Sequence, residues 1–500
     1  MQLFRSIYLM LSMIAAMAIT SCGDDNNDSP ASPSFEVPSQ LLTEGLSFGA
    51  DGGESQFAVK SVERVTARVD ADDPSWITVD VGNRTSEGFN VTVKTQPNDT
   101  ESERTAKVVL FAANTPKTIN VKQATSYVAP QPPQGGNETD TPINDVTAVQ
   151  LASKMVTGIN IGNTMEVPGG ETGWGNPMVN ETYIKGLKAL GFNAVRVPCA
   201  WDSHVTDPSS NTIDPAWLDR VNEVVGWIVA NDMYAIVNIH WDGGWLEENV
   251  ANPFNQTINR KQRDYWTQIA TRLNHFDEHV LFAGMNEPGQ QNGTGGDAIS
   301  NIIRYQQTFI DAVRATGGNN ALRCLVVQAP NTNIDLSEKD NYRKNMPKDN
   351  VDNKLLLEVH FYDPSDFTIM SKDGDWSDKV KYFWGEPNLV PGSDRNATWG
   401  DEKFVASQFK KMLNNYVSQG IPVILGEYST SIRNVGEHQA EHEASRAYWN
   451  QVVTREARNN GCIPFYWETG GDIDRKDGSA KCQYAIDGIM TGVSMSSLPF

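Results

Sequence analysis

Residues 423–427 read VILGE and residues 281–287 read LFAGMNE, two apolar runs that each close on a glutamate. Short apolar runs bounded by turn residues are the pattern of strands buried on both faces, as in a parallel sheet. A carboxylate at the end of such a strand is unfavourable to hold ionised. Glu427 and Glu287, on separate strands, therefore mark a site built around a carboxylate pair.

Six further runs of the same kind lie at 158–162, 194–197, 234–240, 322–328, 355–362 and 463–468, separated by amphipathic helical stretches. Together with 280–287 and 421–427 they make eight strand and helix units over residues 146–500. That count predicts an α/β TIM (β/α)8 barrel with long loops. An open doubly wound sheet is the alternative, but no glycine-rich phosphate fingerprint follows the first strand. In a barrel the functional side chains gather at the carboxyl ends of the strands. Arg196, His240, Asn286 with Glu287, His360 with Tyr362, Glu427 and Trp467 all fall there. Glu358, inside the sixth run, reads as a barrel-interior group, and Glu468 as a loop cap or substrate contact. His275 and His279 have the i, i+4 spacing of one helix face, but no third metal ligand accompanies them.

Residues 35–126 form short alternating runs at even spacing, which predicts a small immunoglobulin-like β-sandwich ahead of the barrel. Residues 127–145, YVAPQPPQGGNETDTPIND, are rich in Pro, Gly and polar residues and read as a semi-extended linker. At the start of the chain, Arg5 precedes an apolar run over residues 7–19 and then Thr20, Ser21 and Cys22. This run is too short to span a membrane and reads as a secretory signal over residues 1–22.

The 500 residues carry a net charge of −21, with a pI near 4.8. So acidic a chain excludes a nucleic-acid partner, because phosphate binding needs concentrated Lys and Arg. Neutral substrates fit better. Beyond Cys22, the cysteines at 199, 324, 462 and 482 lack metal-ligand spacing and read as buried free thiols, with a 462–482 bridge left open.

Glycoside hydrolysis needs a carboxylate pair of this kind: one acid protonates the leaving oxygen, and one carboxylate attacks or activates water. Asn286, Glu287 and Pro288, followed by Glu427 three runs later with the polar residues above at neighbouring strand ends, resemble glycoside hydrolase family 5, a cellulase-rich family. Gly162 to Thr164 and the stretch ETGWGNP at 171–177 are most similar to its subfamily 4. The resemblance implies a retaining endo-β-1,4-glucanase acting on cellulose-like, mixed-linkage or xyloglucan chains, with no metal or organic cofactor. It implies Glu287 as general acid/base and Glu427 as nucleophile, their carboxyl groups about 5 to 5.5 Å apart. Arg196 and Tyr362 would bind Glu427 and keep its pKa low, and Asn286 would bind the sugar 2-hydroxyl. His240 and His360 would position sugar and carboxylates, and Trp467 would form the floor under the sugar. Trp241 stands where many relatives have a second histidine. Asp242, Trp245 and the aromatics Trp376, Tyr382, Phe383, Trp384 and Trp399 are candidate cleft walls. An endo-β-mannanase of the same barrel type and a non-catalytic surface glycan-binding protein are the alternatives.

Trp76, the set Asn98, Thr100, Arg104 and Ala106, and the closing Val121, Lys122 and Gln123 resemble a BACON domain, which implies carbohydrate association or a spacer role. Cys22 and the acidic residues after it resemble a bacterial surface-lipoprotein signal. That resemblance implies lipidation of Cys22, an outer-membrane anchor and a place on the cell surface. The chain is expected to act as a monomer on β-glucan polysaccharide or oligosaccharide.

Overall fold

The eight apolar runs form eight parallel strands: β1 (Gly158–Ile161), β2 (Ala194–Val197), β3 (Tyr234–Asn238), β4 (Val280–Ala283), β5 (Leu325–Gln328), β6 (Leu355–His360), β7 (Val423–Tyr428) and β8 (Cys462–Glu468). They close on themselves in chain order, β8 pairing with β1, so the TIM barrel expected from the sequence is the fold. The computed structural model describes residues 35–98, 100–130, 140–289 and 295–500; the leader and Cys22 lie outside the described residues.

Strand alternation sorts the barrel core into two layers. Outward residues such as Val195, Val237, Phe282, Val327, Leu357 and Leu425 pack under the helices. Inward residues Ala194, Ile236, Leu281, Val326, Leu356, Ile424 and Ile463 fill the lower interior, where Leu151 and Met155 from the segment before β1 plug the bottom. The upper interior is polar. Register places Trp467 beside Asn160 and Asn160 beside Arg196, and Gln328 beside Glu358.

Strict alternation would point Glu427 outward, because Ile424 faces in and Leu425 faces out. A bulge corrects this. Val359 pairs with Leu425 and His360 with Glu427, so Gly426 is the extra residue that re-aims the glutamate. A Cβ on Gly426 would lie 2.0 Å from Glu358 Oε1, so only glycine fits against that carboxylate. Gly426→Ala is therefore expected to destabilise the protein by about 1–3 kcal/mol through overpacking and to impair activity as well. A wild-type urea midpoint for this variant would show that the bulge tolerates a side chain.

The N-terminal unit is a sandwich of two sheets sharing one core. One sheet orders Leu46–Phe48, Thr115–Gln123, Arg104–Ala112 and Val65–Asp70; the other orders Gly53–Val59, Gly88–Thr95 and Ile77–Thr85. Sequence periodicity finds five of these strands. Leu46–Phe48 is too short to show a period; Val65–Asp70 does alternate, with Val65, Ala67 and Val69 inward against Thr66, Arg68 and Asp70, a period that the five runs omit. The residues carrying the BACON resemblance hold this unit together. Arg104 sits 4.6 Å over the Trp76 ring and donates to Gln96 O and Pro97 O at 2.8 Å, while Asn98 donates to Ser102 O and Ala124 O at 3.0 Å.

The polar stretch before β1 is tied to the barrel in its described parts. Tyr127 donates to Asp264 at 3.1 Å, Asn144 to Glu278 at 2.7 Å, and Lys354 reaches Asp145 at 2.8 Å. His275 and His279 do not share a helix face, because the helix ends at Arg272 and both lie in the turn leading to β4. His275 packs on Phe276 and His279 pairs with Asp277. Cys199, Cys324 and Cys462 are buried and Cys482 half-buried, all four as free thiols.

Candidate active site

The polar mouth of the barrel is organised by Arg196, which is fully buried. Its guanidinium donates to Glu427 Oε1 at 2.9 Å, Asn160 Oδ1 at 3.0 Å and Asn286 Oδ1 at 2.8 Å, and its Nε lies 2.8 Å from Glu358 Oε1. A planar, always-charged fork suits four partners around one plane, which a lysine cannot reach. Tyr362 donates to Glu427 Oε2 at 2.9 Å. Burial, then Glu427 and Glu287, push the Tyr362 phenol well above its ordinary pKa, so it remains a donor.

Asn286 and Glu287 lie beyond β4, which ends at Ala283. Side chains from other elements hold this departing segment. Gln262 and Trp266 donate to Gly284 O, Gln328 accepts from Met285 N at 3.0 Å, and Glu247 accepts from Glu287 N at 2.8 Å. His360 bridges the two glutamates, its Nδ1 at 2.7 Å from Glu287 and 3.6 Å from Glu427, with Nε2 3.3 Å from Glu358. An oxygen of Glu287, an oxygen of Glu427 and a ring nitrogen of His360 all lie within 4.8 Å of one another. This close carboxylate spacing belongs to the shorter of the two glycosidase geometries.

Charge is distributed unequally around the cluster. Burial opposes a charged His360, but Glu427, Glu287 and Glu358 outweigh it and push the imidazole up to about 10. Burial acts to raise Glu358 too, yet Arg196 and His360 hold it below the usual carboxylate range. Contrary to expectation, Glu427 lies above that range. Burial outweighs the pull of His360, Arg196 and Tyr362, and Glu287 adds to the rise. The three groups have the make-up of a metal site, but their ligand atoms are already engaged: Arg196 and Tyr362 donate to the two oxygens of Glu427, and His360 Nδ1 lies 2.7 Å from Glu287. His240 is different: burial, Arg196 and His360 depress its pKa well below the ordinary value, leaving a neutral ring stacked on Trp467 at 5.4 Å.

All eight residues expected at the strand ends therefore converge on one cleft. The cleft-wall aromatics divide: Phe383 and Trp384 are buried in their loop, whereas Trp376 and Trp399 are exposed. Asp242 is buried and accepts from Asp202 N and Trp245 Nε1, so it shapes the loop after β3. Glu468 accepts the backbone N–H groups of Gly470, Asp472 and Ile473 and caps its loop.

Sequence reasoning misses Glu247, which sits in the unremarkable run LEEN and gains meaning only by lying against Glu287 N. Burial pushes its carboxyl from 4.5 up to about 8. Between those values the folded state binds a proton that the unfolded state releases, so stability falls as pH rises through this window. Glu247→Gln is expected to flatten that fall. Thermal unfolding at intervals from pH 5 to pH 8 would show it, and parallel wild-type and variant curves would refute a buried titrating carboxyl.

A parallel eight-stranded barrel with a close carboxylate pair on β7 and just beyond β4 is the architecture of a glycoside hydrolase. The pattern of Cellulase (glycosyl hydrolase family 5) matches residues 159–472, and BACON, described as a putative N-terminal binding domain, matches residues 66–124. The chain is 36% identical over 432 residues to the xyloglucan-specific endo-β-1,4-glucanase of Bacteroides ovatus, covering 81% of this chain and 82% of that protein. It is 32% identical to endoglucanase A of Paenibacillus barcinonensis, over 70% of this chain and 91% of the other. Among solved structures, a xyloglucan-specific β-1,4-glucanase from a ruminal metagenomic library, in complex with XXLG, matches with a TM-score of 0.66. Its identity is 37%, over 71% of this chain and 98% of that one. The chain belongs to glycosyl hydrolase family 5, the cellulase family.

Proposed function

We propose that the protein is a retaining endo-β-1,4-glucanase acting on plant cell-wall β-glucans, with xyloglucan as the first substrate to test. The observation that carries this reading is the carboxylate pair, with oxygens within 4.8 Å, in which both oxygens of Glu427 accept from fixed donors. In this reading Glu427 attacks the anomeric carbon while Glu287 passes its proton to the departing glycosidic oxygen. Water then enters on the same face, gives its proton to Glu287 and releases Glu427, so the anomeric configuration is retained. Because Asn286 Oδ1 is engaged by Arg196, its amide NH2 is the group left to donate to the sugar 2-hydroxyl. The His240–Trp467 stack forms an apolar floor for a pyranose face. Lipidation at Cys22 and display on the outer membrane belong to the same proposal and rest on the leader sequence alone.

The test is reducing-end release from xyloglucan, mixed-linkage glucan, carboxymethylcellulose, xylan and mannan side by side, with NMR of the first product anomer. Release from β-1,4-glucans with a β-anomer product is expected. Cleavage of mannan alone, or an α-anomer, would sink the assignment.

A further inference from the structure

Glu358 lies fully buried in β6, two residues before His360, and a carboxylate in such a place is unfavourable unless it is well paired. Its two oxygens are engaged differently. Oε2 accepts from Gln328 Nε2 at 2.7 Å, and Gln328 Oε1 in turn accepts from Met285 N, which anchors the carboxylate to β5 and to the segment that carries Glu287. Oε1 faces Arg196 Nε at 2.8 Å and His360 Nε2 at 3.3 Å. Those two side chains are the ones that hold the carboxylate pair, since Arg196 donates to Glu427 and His360 Nδ1 lies 2.7 Å from Glu287. The same Oε1 is the atom that a Cβ on Gly426 would meet at 2.0 Å, so the bulge that aims Glu427 also makes room for Glu358.

His360 therefore has a carboxylate at each ring nitrogen. A neutral imidazole has one N–H and one lone pair, so one of its nitrogens would set a lone pair against a carboxylate oxygen; a ring with both protons donates to both. Charge balance points the same way. Arg196 and an imidazolium at His360 contribute two positive charges, matched by Glu427 and Glu358 when Glu287 holds its proton. The other titratable groups at the mouth, Tyr362, His240 and Glu247, stay neutral near pH 7. Without Glu358 the cluster would carry an excess positive charge, which favours loss of a proton from His360 or Glu287.

We propose that Glu358 is a positioning residue for the acid/base step: it orients His360 and balances its charge, so that Nδ1–H is donated to Glu287 Oε1 and Oε2 is left to carry the proton to the leaving oxygen. The proposal rests on the hydrolase reading above. It adds a third carboxylate, one that touches no substrate and acts through His360 and Arg196.

Glu358→Gln keeps the shape of the side chain and removes its charge. Neighbouring groups should then lose their protons at lower pH, so both limbs of the kcat/KM profile on cellotetraose should move down by about one pH unit, a tenfold change on the basic limb. A lower profile with both limbs in place would mean a structural role only and would overturn the proposal. The wild-type protein gives a second reading that needs no folded variant at position 358. The ring 15N resonances of His360, identified by their loss in His360→Gln, should be those of an imidazolium from pH 5 to pH 8. A midpoint near the ordinary histidine value of about 6.5 would overturn the charge balance. This measurement does not depend on turnover, so a protein that cleaves no β-glucan would sink the hydrolase reading separately from the pairing of Glu358 with His360.

Discussion

Replacing Glu427 by Gln is expected to lower turnover of β-1,4-glucan by at least about 10⁴-fold while leaving substrate binding within a few-fold of wild type. That loss is about 5.5 kcal/mol of transition-state stabilisation. The amide has nearly the shape of the carboxylate, so the bulge at Gly426 and the cleft are retained. It cannot form the glycosyl-enzyme bond, and it offers Arg196 and Tyr362 one acceptor oxygen where they now share two. The buried guanidinium is not stranded, since Glu358 remains 2.8 Å from Nε. Initial rates on xyloglucan and calorimetric binding of its oligosaccharide distinguish the two effects. Turnover within tenfold of wild type would remove Glu427 from the nucleophile role. Burial also holds Glu427 above the ordinary carboxylate range, so the acid limb of kcat/KM is expected to lie higher than a free carboxylate would place it.

Glu287→Ala is expected to cost about 10²- to 10⁴-fold in kcat/KM on glucan, the usual span for a lost general acid. An aryl β-cellobioside with an acidic phenol needs little protonation as it leaves, so its kcat/KM should drop less than tenfold. Its kcat should still fall, because water attacking the glycosyl-enzyme no longer has a base. Added azide needs no base and should restore turnover with a β-glycosyl azide as product. The geometry favours this rescue, because Glu287 is the more open of the pair, with a side chain 16% exposed against 7% for Glu427. Equal losses on glucan and aryl glycoside, with no azide effect, would contradict the acid/base assignment.

Much of this site was legible from the chain alone because its residues end periodic apolar runs. Arg196, His360, Glu427 and Trp467 lie within β2, β6, β7 and β8, where the local period locates them directly. Asn286 and Glu287 are harder: β4 stops at Ala283, and their placement depends on Gln328 and Glu247 from elsewhere in the chain. Glu247 and Asn160 carry no local signal. Each acquires a role only from a partner more than thirty residues away.

The sequence by itself determined the barrel, the sandwich ahead of it and the apolar runs that the two carboxylates close, because hydrophobic period and strand length are local properties of the chain. Tertiary structure alone decided how those carboxylates are aimed and charged. The alternation of β7 would turn Glu427 away from the cleft, and only the register with β6 shows that Gly426 bulges and brings it back. Arg196 beside Glu427 suggested a depressed pKa, and the desolvation that reverses it is set by everything packed around the mouth of the barrel. Register and desolvation are sums over residues distant in sequence, so no local pattern contains them.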